Sequence, residues 1–281
     1  MSDCGTTVGR QSPAALLQGG DTPSSAVRLA CIHHAGGAAS AYAAWSKAMP
    51  DTVALYRVQL PGREGRFSEP FEECLVNAAD AVAQALHRVD GNKPLVLFGH
   101  SMGAVIAFHA ARRLATLRDF RLRALVVSGC VAASRIEAQV ARRGALHTLD
   151  DRALARAVAA YGGLPSFVTE SPELMEVFMP IFRADFRLVD TYAYRAAPPL
   201  DVPVHAFYGD RDEQADLEDV LAWGVETTAG FRSTRFEGGH FFLRDQAEAV
   251  HGALCRELES ARQIALMPCI DKCADASAQL S

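Results

Sequence analysis

A regular alternation of short apolar runs with longer helical runs is the feature that most constrains the fold of this chain. The apolar runs have the length of strands and lack polar alternation, which is typical of strands buried on both faces of a sheet. Such an alternation predicts an α/β fold, in which helices cover both faces of a mostly parallel sheet. The predicted strands are 27–32, 53–59, 95–98, 124–127, 204–208 and 232–236, and the predicted helices between them are 41–49, 71–89, 103–114, 217–223 and 246–261.

The alternation also marks the limits of one domain, which we predict at residues 26–262. Residues 1–25 are rich in Gly, Ser, Thr and Pro, and we expect them to form a flexible leader. Residues 263–281 have no counterpart in the pattern and are predicted to be a C-terminal tail.

The alternation is interrupted between residues 131 and 198, where helices replace the strands. The two predicted helices are 151–161 and 172–188. The second has Ser171 as its N-cap and Pro172 in its first turn, both of which favour a helix start. We interpret residues 131–198 as a helical insertion into the domain and call it the lid segment.

Composition excludes several classes of protein. The chain has 281 residues and a net charge of −5, and this acidic balance disfavours nucleic acid as a partner. Its seven cysteines are scattered, without the spacing of a disulfide framework or a metal site. No apolar run reaches the roughly 18 residues of a membrane span, and no secretory signal is found. We therefore expect a monomeric, cytoplasmic protein with no metal, no cofactor and no membrane partner.

A serine in the sequence Gly-His-Ser-Met-Gly, at residues 99–103, is the strongest candidate for chemistry. It lies between a predicted strand and a predicted helix. A turn that holds a serine there in a strained backbone needs glycine on both sides, because a larger side chain would clash. The hydroxyl then projects at a helix N-terminus, where developing negative charge is stabilised. We predict that Ser101 is a nucleophile.

A serine nucleophile needs a base and a carboxylate that orients the base. Among the nine histidines, His240 lies in a glycine-rich loop after a predicted strand, at the sheet edge that carries Ser101. In this kind of site the acid lies between the serine and the histidine in the chain. Strand 204–208 ends in Gly-Asp-Arg-Asp-Glu, from which we choose Asp212 as the acid and interpret Asp210 as a turn residue.

The oxyanion formed during acyl transfer needs two hydrogen-bond donors. One is expected to be the backbone N–H of Met102, the residue after the nucleophile. The other should come from the loop after an early strand, where His-Ala-Gly-Gly stands at 34–37. Its glycines allow a close backbone approach, and we assign the N–H of Ala35.

Six motifs occur in a fixed order along the chain. They are His-Ala-Gly-Gly at 34–37, Pro-Gly-Arg-x-x-Arg at 61–66, Gly-x-Ser-x-Gly at 99–103, Arg-Ala-Asp at 183–185, Gly-Asp-Arg-Asp at 209–212 and Gly-Gly-His-Phe at 238–241. Together they resemble the type II (external, editing) thioesterases of nonribosomal peptide and polyketide synthesis, which have the α/β-hydrolase fold. The sequence departs from the family at His33 and Glu213, where proline is usual.

The resemblance implies a substrate and a partner. The substrate is an acyl group thioesterified to the phosphopantetheine arm of an acyl or peptidyl carrier protein, and the reaction frees stalled or wrongly loaded modules. It also implies the acid at Asp212. His34, Leu174 and Phe178 are candidates for substrate binding, although the apolar face of the lid segment would equally serve to pack it onto the core.

Other functions stay open on the sequence alone. The same triad serves other esterases and lipases and chain-releasing thioesterases, and a non-catalytic protein of the same fold is a third possibility. Neither a phosphate-binding Gly-x-x-x-x-Gly-Lys run nor a His-Glu-x-x-His run is found in the sequence. The arginines that we consider for contact with an acidic carrier protein are Arg63, Arg66, Arg112, Arg113, Arg142 and Arg143.

Overall fold

A central sheet organises the protein, whose computed structural model describes residues 16–89, 91–117, 120–164, 168 and 170–266. Within these residues the strand order is β1-β3-β2-β4-β5-β6-β7. The strands are β1 (Leu17–Gly19), β2 (Val27–Ile32), β3 (Val53–Val58), β4 (Leu95–His100), β5 (Leu122–Ser128), β6 (Val204–Gly209) and β7 (Phe231–Phe236). Strands β2 to β7 are parallel, which confirms the predicted mostly parallel sheet.

Helices cover both faces of this sheet, as predicted. The α-helices of the described chain are α1 (Trp45–Ala48), α2 (Leu75–Arg88), α3 (Met102–Ala115), α4 (Ile136–Arg143), α5 (Asp151–Ala160), α6 (Pro172–Asp190), α7 (Leu217–Leu221), α8 (Phe242–Asp245) and α9 (Ala247–Leu266). One apolar core contains Val82 of α2 and Val105 of α3, and the core on the other face contains Trp45 and Leu254 of α9. The described helices include none with the length and apolar content needed to cross a bilayer.

The lid segment forms an apolar cluster of its own. Helices α4, α5 and α6 lie between β5 and β6, and Leu154 of α5 packs with Met179 of α6 in this cluster. The predicted start of α6 is confirmed, since the hydroxyl of Ser171 accepts the N–H of Leu174 at 3.3 Å. The insertion is therefore helical, as the interrupted alternation predicted.

The predicted flexible leader is wrong for the part of it that the structure describes. Leu17–Gly19 forms β1, which pairs antiparallel with β3, and Leu16 and Leu17 are buried. This edge strand has three residues, too few to produce a recognisable pattern in the sequence. Residues 1–15 lie outside the described residues.

Other boundaries also differ from the prediction by a few residues, and two of them change the description of an element. The helix predicted at 41–49 is a 3-10 turn at Ala39–Tyr42 followed by the short α1. At the C-terminal end, α9 continues to Leu266, beyond the predicted domain limit at 262. The rest of the predicted tail, 267–281, lies outside the described residues.

Candidate active site

Ser101 lies at the junction of β4 and α3 in a strained backbone conformation. Its φ is 55° and its ψ is −121°, a combination that residues other than glycine rarely adopt. A Cβ on Gly99 would lie 2.1 Å from the carbonyl oxygen of Gly103, and one on Gly103 would lie 2.2 Å from that of Ile32. Both glycines are thus required by close backbone contacts, as predicted for this turn.

His240 and Asp212 meet at the edge of the sheet where Ser101 lies. Nδ1 of His240 is 2.9 Å from Oδ2 of Asp212, and the other carboxylate oxygen accepts the N–H of Gln214 at 2.9 Å. The side chain of Asp212 is fully buried. A bond from Nδ1 to the carboxylate leaves Nε2 of His240 available, and His240 lines the same cavity as Ser101.

Asp210 makes contacts of a different kind. One of its oxygens accepts the N–H of Gly238 at 2.9 Å, and the other accepts from Arg235 at 3.0 Å. The bond from Gly238 holds the pKa of the Asp210 carboxyl below its usual value. Asp210 therefore fastens the end of β6 to the loop that carries His240, instead of bonding within its own loop as a turn residue.

Residues 34–37 follow β2 and are here called the oxyanion loop. The carbonyl oxygen of His34 accepts the N–H of Gly37 at 3.0 Å and lies 2.8 Å from Nδ1 of His33. These bonds fix the peptide plane between His34 and Ala35. The N–H of Ala35 makes no hydrogen bond to any other residue that the structure describes, and it points away from the His34 carbonyl because the peptide is trans.

Burial controls the protonation of both histidines in this region. Desolvation lowers the pKa of His33 to about 4 and that of His34 to about 3, so both are neutral at pH 7. A carbonyl oxygen can only accept a hydrogen bond, so Nδ1 of His34 carries the ring proton and donates it to the carbonyl oxygen of Ala35, at 2.9 Å. Because the ring is neutral, its Nε2 has no proton.

Met102 supplies a second free backbone donor. As the first residue of α3, it has an N–H without an acceptor inside the helix. Ala35, Ser101 and Met102 line one cavity, which places both predicted donors beside the candidate nucleophile. The dipole of α3 also favours negative charge at this end.

The cavity that holds these groups has a volume of about 670 Å³, counting the part open to solvent. His34 lines it and stays a candidate for substrate binding. Apolar lining comes from the C-terminal half of α6, through Phe182, Phe186 and Val189. Polar lining residues are Gln139, Arg143, Tyr161 and Gln214, of which the sequence had drawn attention only to Arg143, and for contact with a carrier protein instead of the cavity.

Leu174 and Phe178 are placed elsewhere than predicted. Both pack against the apolar cluster of the lid segment and are not among the residues that line the cavity. They lie in the N-terminal half of α6, before the part that reaches the cavity. Continuing the spacing of four from Phe178 leads to Phe182 and Phe186, which do line the cavity, so a role of Leu174 and Phe178 in substrate binding stays a prediction.

The arginines considered for a carrier protein are mostly engaged in ion pairs within the chain. Arg63 and Arg66 are buried and paired with Asp185 and Glu69, which contradicts the expectation of a surface role for these two. The other pairs are Arg112 with Glu226, Arg142 with Asp219, Arg143 with Asp190 and, at 3.9 Å, Arg113 with Asp80. Among the described residues, no group of three or more His, Cys, Asp or Glu side chains could hold a metal ion.

Comparison with known proteins shows which family the chain belongs to. Residues 27–258 match the model of the thioesterase domain. The thioesterase PikA5 of Streptomyces venezuelae is 37% identical over 224 residues, which cover 80% of this chain and 78% of PikA5. The gramicidin S biosynthesis protein GrsT of Aneurinibacillus migulanus is 32% identical over 83% of this chain and 89% of its own length.

Similarity to a solved structure supports the same family assignment. The type II thioesterase BorB from the borrelidin biosynthetic cluster superposes with a TM-score of 0.77 at 33% identity, covering 87% of this chain and 98% of BorB. The strained serine turn on a mostly parallel sheet is the arrangement of the α/β-hydrolase fold. The chain therefore belongs to the thioesterase family, and its relatives include type II thioesterases of nonribosomal peptide and polyketide biosynthesis.

Proposed function

We propose that this protein is a serine thioesterase that hydrolyses acyl groups held on the phosphopantetheine arm of a carrier protein. Ser101 is the nucleophile, His240 the general base and Asp212 the carboxylate that orients it. The observation that carries the proposal is the 2.9 Å contact between His240 and Asp212 at the cavity lined by Ser101. Membership of the thioesterase family supports the class of substrate.

The chemistry follows from this arrangement. Nε2 of His240 takes the proton of Ser101 as Oγ attacks the thioester carbonyl carbon, and Asp212 stabilises the imidazolium. The N–H groups of Ala35 and Met102 bind the oxyanion. When the C–S bond breaks, His240 returns the proton to the leaving pantetheine sulfur. Water activated by the same histidine then hydrolyses the acyl-serine and releases a carboxylic acid.

The biological role that we propose is editing in the cytoplasm, carried out by a monomer on an acyl or peptidyl carrier protein. Removal of a stalled or wrong acyl group would restore the free pantetheine thiol and return the module to use. The named relatives support this role, because they belong to gramicidin S and borrelidin biosynthesis and the likeness extends over most of both chains.

The role of Ser101 is tested by replacing its hydroxyl. Ser101→Ala should abolish hydrolysis of an acyl group loaded on a carrier protein, with the circular dichroism spectrum unchanged because the side chain is partly exposed at the cavity and is not part of the packed core. A fluorophosphonate probe should label the wild-type protein and leave the variant unlabelled. Labelling or turnover that persists in Ser101→Ala would remove this residue from the proposed role.

A further inference from the structure

Two sequence motifs that the triad does not use meet inside the protein. Arg63 is the first arginine of the Pro-Gly-Arg-x-x-Arg motif, and Asp185 ends the Arg-Ala-Asp motif on α6, 122 residues away. Nη1 of Arg63 lies 2.6 Å from Oδ2 of Asp185, and Nη2 lies 2.7 Å from Oδ1. The two side chains are only 4% and 1% exposed. This is a buried two-pronged ion pair, here called the Arg63–Asp185 clamp.

The clamp also binds the backbone of the oxyanion loop. Oδ2 of Asp185 accepts the N–H of Gly36 at 2.7 Å, and Nη1 of Arg63 donates to the carbonyl oxygen of Gly37 at 3.1 Å. The carbonyl of Ala35 is held by the ring of His34. The peptide between Ala35 and Gly36 is thus fixed at both its oxygen and its N–H, directly beside the free N–H of Ala35.

An apolar contact reinforces the same junction. Gly36 has a φ of +74°, and a Cβ there would lie 1.9 Å from the ring of Phe182. Phe182 lies one turn before Asp185 on α6. Helix α6 of the lid segment therefore touches the oxyanion loop with both a ring and a carboxylate.

We propose that Asp185, held by Arg63, is a positioning residue that sets the N–H of Ala35 in the oxyanion hole. The inference rests on the proposed function, since it assumes that Ala35 binds the oxyanion. Removing the carboxylate leaves a buried guanidinium without its partner and a backbone N–H without its acceptor, so the loop relaxes. Because the negative charge on the carbonyl oxygen is absent from the bound substrate and develops only as the transition state is approached, the loss falls on kcat and leaves KM nearly unchanged.

The test uses two variants of Asp185 in the full chain. Asp185→Asn keeps an oxygen that can accept from Gly36, whereas Asp185→Ala removes both contacts. We expect kcat on a loaded carrier protein to fall roughly 10-fold in Asp185→Asn and about 100-fold in Asp185→Ala. The first decrease is smaller than the decrease that follows removal of a whole oxyanion donor, and the second is close to it. KM should change less than about twofold, and the rate of fluorophosphonate labelling of Ser101 should fall in parallel with kcat.

A matched control separates positioning from stability. Glu226→Ala breaks another buried pair, in which Arg112 lies 3.0 Å from a carboxylate that is 2% exposed, away from the oxyanion loop. We expect it to lower Tm as Asp185→Ala does and to keep wild-type kcat and labelling rate. Asp185 variants that label at the wild-type rate, or that lose only Tm, would overturn the inference.

The labelling rate also separates this inference from the proposed function. Phosphonylation needs the nucleophile, its base and the oxyanion hole, but no thioester. A wild-type protein that is labelled and yet fails to hydrolyse loaded carrier proteins would contradict the proposed substrate. Slower labelling of Asp185→Asn would still support the clamp in that case, and equal labelling would still refute it.

Discussion

Asp212 and Asp210 lie two residues apart and make different contacts, so single substitutions separate their roles. Asp212→Asn preserves the shape of the side chain but favours the wrong tautomer of His240, because an amide can donate to Nδ1. We expect kcat to fall by up to about 10⁴-fold. Asp210→Asn weakens the bonds to Gly238 and Arg235, and we expect a small loss of Tm with kcat nearly unchanged.

Both variants are assayed with the same acyl-loaded carrier protein, and folding is checked by circular dichroism. An inactive Asp210→Asn beside an active Asp212→Asn would reassign the acid. Because the two substitutions make the same chemical change, each serves as the control for the other.

The buried histidines beside the oxyanion loop predict how stability depends on pH. Burial lowers the pKa of His33 to about 4, while the unfolded chain titrates near 6.5. Between these values the unfolded state binds a proton that the folded state does not, so the free energy of unfolding falls as the pH falls. The decline approaches about 1.4 kcal/mol per pH unit for each such histidine.

His33→Asn isolates one of these protons, because asparagine does not titrate and its amide can donate to the carbonyl of His34. Urea unfolding at pH 7 and pH 5 measures how the free energy of unfolding depends on pH in the variant and in the wild type. Between these pH values we expect the free energy of unfolding to fall by about 2 kcal/mol less in the variant than in the wild type. Equal losses would show that His33 is not the neutral buried group described here.

The proximity of Ser101, Asp212 and His240 was predictable from the sequence. Each follows a strand of a parallel sheet, and the carboxyl ends of such strands share one edge, so no long-range contact had to be known. The sequence could not show that Leu174 and Phe178 lie before the part of α6 that reaches the cavity, because that depends on how the lid segment packs over the sheet. A helical stripe gives the buried face, but not the position along the axis at which a cavity begins.

At the scale of single elements, β1 determines how far the N-terminus can be shortened. A variant that lacks residues 1–25 loses β1, exposes the edge of β3 and removes the buried Leu16 and Leu17. At about 1.5–3 kcal/mol for each buried leucine, the loss is about 3–6 kcal/mol. We expect a clearly lower Tm and a tendency to aggregate through the exposed edge.

A variant that lacks only residues 1–14 is the control, and we expect it to keep the Tm and turnover of the full chain. Thermal unfolding of both variants, followed by circular dichroism, makes the comparison. Equal Tm values for the two would mean that β1 contributes nothing to stability.

The longer elements were predictable because their patterns extend over enough residues. The apolar run at 95–98 and the small-residue run at 103–114 gave β4 and α3 within a few residues. The three residues of β1 are too few to show a hydrophobic period, and Leu17 pairs with Val58, which lies 41 positions away in the sequence. Short edge strands of this kind are set by the neighbour they join and not by their own sequence.

At the scale of the whole molecule, the lid segment and the family predict which substrate is preferred. We expect short acyl groups on a carrier protein to give a higher kcat/KM than free p-nitrophenyl esters, because binding of the carrier and its arm contributes to the transition state. Steady-state kinetics with both substrate types measures the ratio. Equal or faster turnover of simple esters or long-chain triglycerides would favour an esterase or lipase.

The overall architecture was predictable from the alternation of strands and helices, whereas the Arg63–Asp185 clamp was not. Periodicity reports which face of an element is buried, and it says nothing about pairs of charges 122 positions apart. The two motifs drew attention to both residues, but only their contact in the folded protein explains why an arginine and an aspartate occur at these positions.

The clamp limits how the lid segment can be exchanged in protein engineering. Asp185 belongs to the inserted helices, whereas its partner Arg63 and the oxyanion loop belong to the sheet domain. A chimaera that receives the helices of another hydrolase therefore keeps Arg63 and Gly36 and can lose the carboxylate that both require. An exchanged lid segment brings a new substrate pocket without disturbing the oxyanion loop only when the donor protein carries an acidic residue at the position of Asp185 and a side chain that fits against Gly36.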